Sequence, residues 1–219
     1  MLVQDGERAY LDKDFDLARQ IWEPLAESGD ADAEAWLGAL YANGLGVDQD
    51  AARAFAYYLR SAEHGNALAA NNVGAMYAKG DGVAADPTQG AAWFLRAAES
   101  GDALGQFNYA VVLTKGMGVA PDLAEAVRWY RRASLAGHYP SQARLGYCYA
   151  KGLGTAVDPV EAFVWLTLAS RHGVGLAMAE LESLVRGMSA EQKSAAHQRL
   201  AQSEASSQSN AKVLEQAIG

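Results

Sequence analysis

Few residues in this chain have the chemistry to cut or transfer a bond, and their spacing keeps them apart. Four histidines are present, and no two of them stand at a spacing that would place a pair of metal ligands on one helix face. His64 and His172 fall at the ends of helical stretches, where a cation interacts favourably with the helix dipole. Cys148 is the single cysteine, so no internal disulfide forms. It sits beside Tyr149 and near Gly146, with no histidine or basic partner in sequence, and reads as a small helix residue rather than a nucleophile. The glycine loops Gly44-Leu45-Gly46, Gly80-Asp81-Gly82, Gly116-Met117-Gly118 and Gly152-Leu153-Gly154 lack the third glycine and the preceding strand of a phosphate cradle. Four copies at one period are turns. Unlike groups do not converge as catalysis requires, so the sequence predicts no catalytic residues, no metal and no cofactor.

The chemistry that does recur is recognition. Four columns repeat every 36 residues: Trp36, Asn72, Asn108, Arg144; Ala35, Asn71, Phe107, Ala143; Ala39, Ala75, Val111, Tyr147; and Asn43, Lys79, Lys115, Lys151. An asparagine amide both donates and accepts, which suits the backbone of an extended peptide. Phe107 and Tyr147 supply apolar anchors of the kind enriched at interfaces. Lys79, Lys115 and Lys151 would attract carboxylates. A lysine just before a loop glycine also stabilises the negative end of its own helix, so for this column a local role and a binding role stand side by side. The asparagines carry the same two readings.

The elements that place these columns follow from the period. Val73-Gly74 returns as Leu37-Gly38, Tyr109-Ala110 and Leu145-Gly146, and Asp86 as Asp50, Asp122 and Asp158. An unbroken period of this size marks stacked supersecondary units. First helices are expected near Ala31–Asn43, Ala67–Lys79, Ala103–Lys115 and Tyr139–Lys151. Second helices are expected near Ala51–His64, Pro87–Ser100, Leu123–Ala136 and Pro159–His172. The loop glycines suit a left-handed helix end, the aspartates an N-cap, and Pro87 and Pro159 the first helical position. Ala70, Val73, Gly74 and Tyr77 share the core side of one helix, with Gly90, Trp93, Phe94, Ala97 and Ala98 on the other. Trp93 and its equivalents Tyr57, Trp129 and Trp165 supply bulk against the small glycine.

Four domains of the chain are expected: a partial repeat over residues 1–30, four full repeats over 31–173, a degenerate half-repeat with a capping helix over 174–203, and a mobile tail over 204–219. Pro24 predicts an irregularity in the helix that begins at Asp14. Ser189-Ala190-Glu191-Gln192 reads as a capping box opening a polar helix to about Gln202, a terminal cap of the sort a stacked array needs.

Composition sets limits on partners. The net charge is −8, which argues against a phosphate backbone as ligand. No apolar run approaches the roughly 18 residues of a membrane span, and the first residues do not read as a leader. Periplasm is expected if a leader was removed, and cytoplasm otherwise.

The pattern A-x-A-x-x-x-L-G-x-x-Y-x-x-G-x-G-V, followed by D, A, W and A-A-x-x-G, resembles the Sel1-like repeat, a relative of the tetratricopeptide repeat. Ala31 to Val47 and Ala67 to Val83 match closely, while the third copy has Ala110 for Gly and Leu113 for Tyr, and the fourth has Thr155 for Val. The resemblance implies an all-α, right-handed α/α superhelical solenoid and an adaptor role in a bacterial envelope or signalling complex. On that architecture the concave face would carry Trp36, Asn71, Asn72, Phe107, Asn108, Val111, Arg144, Tyr147 and the three lysines, meeting a peptide or protein segment. Two other readings are a β-lactam-active hydrolase, known from a cysteine-rich branch whose cysteines are absent here, and a purely structural spacer.

Overall fold

The computed structural model describes residues 2–218, with side chains over residues 2–205. Twelve helices and no strand make up the described residues. In order they are α1 (Val3–Leu11), α2 (Phe15–Glu27), α3 (Ala31–Asn43), α4 (Ala51–Glu63), α5 (Ala67–Lys79), α6 (Pro87–Glu99), α7 (Ala103–Lys115), α8 (Leu123–Leu135), α9 (Tyr139–Lys151), α10 (Pro159–Arg171), α11 (Gly175–Gly187) and α12 (Ala190–Ile218). The chain is an all-α helical repeat with a spacing of about 36 residues. Its contacts divide it into two compact units, Met1–Asp122 and Leu123–Gly219.

The first helices occupy the spans their pattern predicts. Each ends on a left-handed glycine, as Gly80 does at φ 75°, and the free amide of that glycine bonds back to Met76. The second helices stop one residue earlier than expected. His64, Ser100 and His172 are C-caps rather than helical residues, because each precedes a positive-φ glycine that turns the chain. Asp50, Asp86 and Asp158 cap the second helices through their side chains, accepting from free amides one turn on. Asp30, Asn66 and Asp102 do the same for α3, α5 and α7. Such a cap contributes about 1 kcal/mol.

Within the first unit the close approach of each helix pair is fixed by glycine. A Cβ placed on Gly38 would lie 2.8 Å from the Tyr58 ring, and one on Gly74 would lie 2.9 Å from Phe94. The filling ring is therefore the residue after the aromatic that the sequence pattern singles out. In the second unit Gly146 faces Leu166 in the same way, at 2.7 Å. Between successive repeats the contact is made by the second glycine of each loop. Gly82 (φ 69°) packs directly on the Ala51 carbonyl, so any side chain there would collide with backbone.

The N-terminal repeat closes on aromatics. Trp22 is fully buried, donates its indole N–H to the Val3 carbonyl at 3.1 Å and stacks on Trp36 with ring centroids 5.1 Å apart. α2 runs through Pro24 without interruption. At the other end Ser189 and Gln192 form the expected reciprocal cap, with the Ser189 amide donating to Gln192 Oε1 and the Gln192 amide to Ser189 Oγ. α12 does not end near Gln202 but continues to Ile218, and Ala196 and Leu200 bury against Phe163 and Val164 of α10. The tail expected to be mobile falls largely outside the residues whose side chains are described.

Candidate functional site

In the first unit α5 packs against α6 on one side and lies beside α7. Ala69, Ala70, Val73, Gly74 and Met76 face inward and are buried. Asn72, Ala75 and Lys79 are left on the open side, half-buried or exposed. On α7 the corresponding residues are Asn108 and Val111, both half-buried, and the exposed Lys115.

Asn71 departs from the expected open-face position. It is only 4 % exposed, and its Oδ1 accepts from Asn108 Nδ2 at 2.7 Å. Because residues i and i+1 point about 100° apart on a helix, Asn71 swings toward the α5–α7 seam while Asn72 faces outward. The asparagine columns thus join the two helices to each other before they meet anything else. Phe107, next to Asn108, is half-buried.

Trp36 is half-buried and already engaged by its own chain. It stacks on Trp22, approaches Tyr10 at 5.1 Å and donates its indole N–H to Glu7 Oε1 at 3.3 Å. The three lysines divide. Lys151 pairs with Glu180 at 3.1 Å and lies 5.7 Å from the Tyr147 ring, which fixes it locally in the second unit. Lys79 and Lys115 are exposed and form no ion pair among the described residues. Arg144 is exposed and Tyr147 half-buried.

Two residues of this surface escape the sequence reading. Leu68 and Leu104 are 54 % and 39 % exposed, one helical turn before Asn72 and Asn108. The open side of α5 therefore reads Leu68, Asn72, Ala75, Lys79, and that of α7 reads Leu104, Asn108, Val111, Lys115. Each strip begins apolar and ends in a cation. The signal is present in the sequence, since 68 and 104 differ by the repeat period.

A second polar cluster also lay outside the sequence reading. Glu34 of α3 is fully buried, with Arg60 Nη2 2.7 Å from its Oε1 and His64 Nδ1 2.7 Å from its Oε2. Arg60 aims its N–H at the Ala26 carbonyl, so Oε1 receives charge without a well-directed hydrogen bond. At the equivalent positions Gln106 and Gln142 are buried and donate Nε2 to the carbonyls of Ala98 and Ser134. The Glu34 cluster ties α3 to α4 and, through Arg60, to the Ala26 carbonyl of α2, while the two glutamines tie α7 to α6 and α9 to α8.

Cys148 is buried, and loss of solvation pushes its thiol up to about 11, far from the range in which a thiolate would attack. Among the described residues no group of three or more His, Cys, Asp or Glu side chains is arranged to hold a metal ion, and no helix is long and apolar enough to cross a membrane.

Sequence comparison matches the Sel1 repeat five times, over residues 1–30, 31–66, 67–102, 103–138 and 140–174. The chain belongs to the Sel1 repeat family. Among solved structures it is similar to a Sel1 repeat protein from Oxalobacter formigenes, at 30% identity and a TM-score of 0.77 over 82% of this chain and 74% of that one. It is also similar to a protective antigen of uropathogenic Escherichia coli that displays the same fold, at 31% identity and a TM-score of 0.77 over 84% of this chain. It spans 40% of that longer protein. A third structure, a Sel1 repeat protein from Klebsiella pneumoniae at 16% identity and a TM-score of 0.52, covers 82% of this chain and 89% of that one and shares the fold. Sel1 repeats are generally protein–protein interaction modules, and their scaffolds are generally non-catalytic.

Proposed function

We propose that this protein is a non-enzymatic adaptor that binds a peptide or protein segment along the open side of its first helices, taken as the concave surface of the array. The observation that carries the reading is the pair of parallel strips on α5 and α7. Leu68 and Leu104 stay exposed although their helices bury Val73 and Gly74, and Ala110 and Leu113, on the opposite side, and Lys79 and Lys115 stay without ion pairs among the described residues. Half-buried Phe107 and Val111 lie between those ends. A partner segment with an apolar residue at one end and carboxylates at the other would match both strips. The chain as a whole is acidic, so two unpaired lysines on one face favour an acidic stretch of partner there.

The reading is tested by site-specific photo-crosslinking in cells of the source organism, with the crosslinker at Leu104 of α7 or at Arg53 of α4. Adducts should form at Leu104 and not at Arg53, and Asn72→Ala with Phe107→Ala should abolish them while helical content is unchanged. Adducts confined to the second helices would overturn the proposal. For the hydrolase alternative, the buried and protonated Cys148 supports no attacking group.

A further inference from the structure

Leu68, Asn72, Ala75 and Lys79 stand at positions i, i+4, i+7 and i+11 of α5, which at about 100° per residue keeps all four within about 60° of one another. Leu104, Asn108, Val111 and Lys115 repeat that stripe on α7. α6 packs against both helices, and the connections on either side of it return α7 in the direction of α5. Asn71 and Asn108 meet near the middle of the two helices, so the stripes run side by side in register. Both helices end on left-handed glycines, Gly80 and Gly116, just beyond the lysines. One end of the surface therefore holds two exposed cations and the negative ends of two helix dipoles, and the other holds two exposed leucines.

The middle of the surface favours a helical occupant over an extended one. An extended segment brings backbone N–H and C=O groups that need partners from whatever it lies on. Here the Asn108 donor is taken by Asn71, and Ala75 and Val111 offer only apolar contact. A helix pairs its own backbone and needs from the surface apolar area and matching charge.

The two ends set its direction. Acidic residues stabilise a helix in its first turn, where the dipole is positive. A helix that lays an acidic first turn on Lys79 and Lys115 also brings its positive end to the negative ends of α5 and α7. The reverse direction would set negative end against negative end, with the acidic residues where their own helix disfavours them. Leu104 and Lys115 are three turns apart, about 16 Å along the axis.

Resting on the adaptor reading above, we propose that the partner segment is an amphipathic α-helix running antiparallel to α5 and α7. Its acidic first turn meets Lys79 and Lys115, and an apolar residue about 11 positions further on meets Leu68 and Leu104.

Photo-crosslinking from two positions of α7 in the full chain tests form and direction together. The crosslinker stands at Leu104 in one protein and at Lys115 in the other, with Lys79 kept as the cation, and the partner residue in each adduct is mapped by mass spectrometry. The residue captured from Leu104 is expected about 11 positions C-terminal to the one captured from Lys115, with Asp or Glu at the Lys115 end. A separation of about five would show an extended segment. A Leu104 adduct lying N-terminal to the Lys115 adduct would show the parallel direction. Either result overturns the proposal and leaves the adaptor reading standing, whereas absence of adducts at both positions overturns the two together. Lys79→Glu with Lys115→Glu should lower the Leu104 adduct yield about tenfold through like-charge contact, with helical content unchanged. An undiminished yield would overturn the proposal.

Discussion

Asn108 of α7 donates its side-chain amide to Asn71 Oδ1 of α5 across 2.7 Å, joining two successive first helices by a bond between residues one repeat and one position apart. The two ends of that bond differ in their access to water. Asn71 is buried, so removing Asn108 leaves a carbonyl oxygen with no donor. Asn108→Ala should therefore cost about 1–2 kcal/mol, whereas Asn71→Leu, which replaces the buried amide by an apolar group of similar size, should be nearly neutral. Urea midpoints of the two variants check this order.

Gly82 and Gly101 have similar dihedrals and different surroundings, with φ of 69° and 89°. A Cβ at Gly101 would meet nothing within 4 Å, while one at Gly82 would meet the Ala51 carbonyl. Both alanine variants bear the left-handed penalty of about 1–2 kcal/mol. Gly82→Ala should cost clearly more, because backbone of the preceding repeat must move as well. Equal losses in chemical denaturation would show that the contact between loop and helix carries no weight.

Glu34 is enclosed, while the side chains of its partners Arg60 and His64 are 48% and 46% exposed. Replacing Glu34 by Gln returns two half-exposed cations to water, a modest loss. Replacing both cations by alanine strands a buried carboxylate and should cost about 3 kcal/mol or more. The double variant should thus melt below Glu34→Gln.

Alkaline stability reports the two units separately. Burial raises the Cys148 thiol from its ordinary 9 to about 11 and the Tyr58 hydroxyl from its ordinary 10 to about 12. In each case the unfolded chain loses its proton first. Stability is therefore full below pH 9 and falls as pH rises, through 9 to 11 for Cys148 and through 10 to 12 for Tyr58. Tyr58→Phe should flatten the upper part of this decline, and Cys148→Ala the lower part, in denaturation midpoints taken from pH 8 to 12.

Much of the fold was legible because the signals that set it are local. The loop glycines and the aspartates before the second helices act within a few residues, and the first helices begin and end where those signals place them. The second helices ran one residue short because His64 and Ser100 belong to the turn that the next glycine makes. α12 passed Gln202 since nothing in Ser203 or Glu204 forces a stop, and Leu200 is held against α10. The candidate surface was less legible. Helical angles separate inward from outward, but a residue on the border such as Asn71 is assigned by which neighbour comes beside it. Trp36 was misplaced for the same reason, since its fate depends on Trp22, fourteen positions earlier. Glu34 was passed over because its charge hid a burial that only Arg60 and His64 explain.

The seat of Gly82 on Ala51, repeated by Gly118 on Pro87 and Gly154 on Leu123, gives these three junctions the same local lock. Each lock needs only the unit before it and makes no reference to position in the array. Copies of 36 residues can then be gained or lost whole by recombination without redesigning a junction, whereas a single-residue insertion in any loop would unseat a glycine. The number of repeats is in this sense an inherited variable, and the register within each repeat is not.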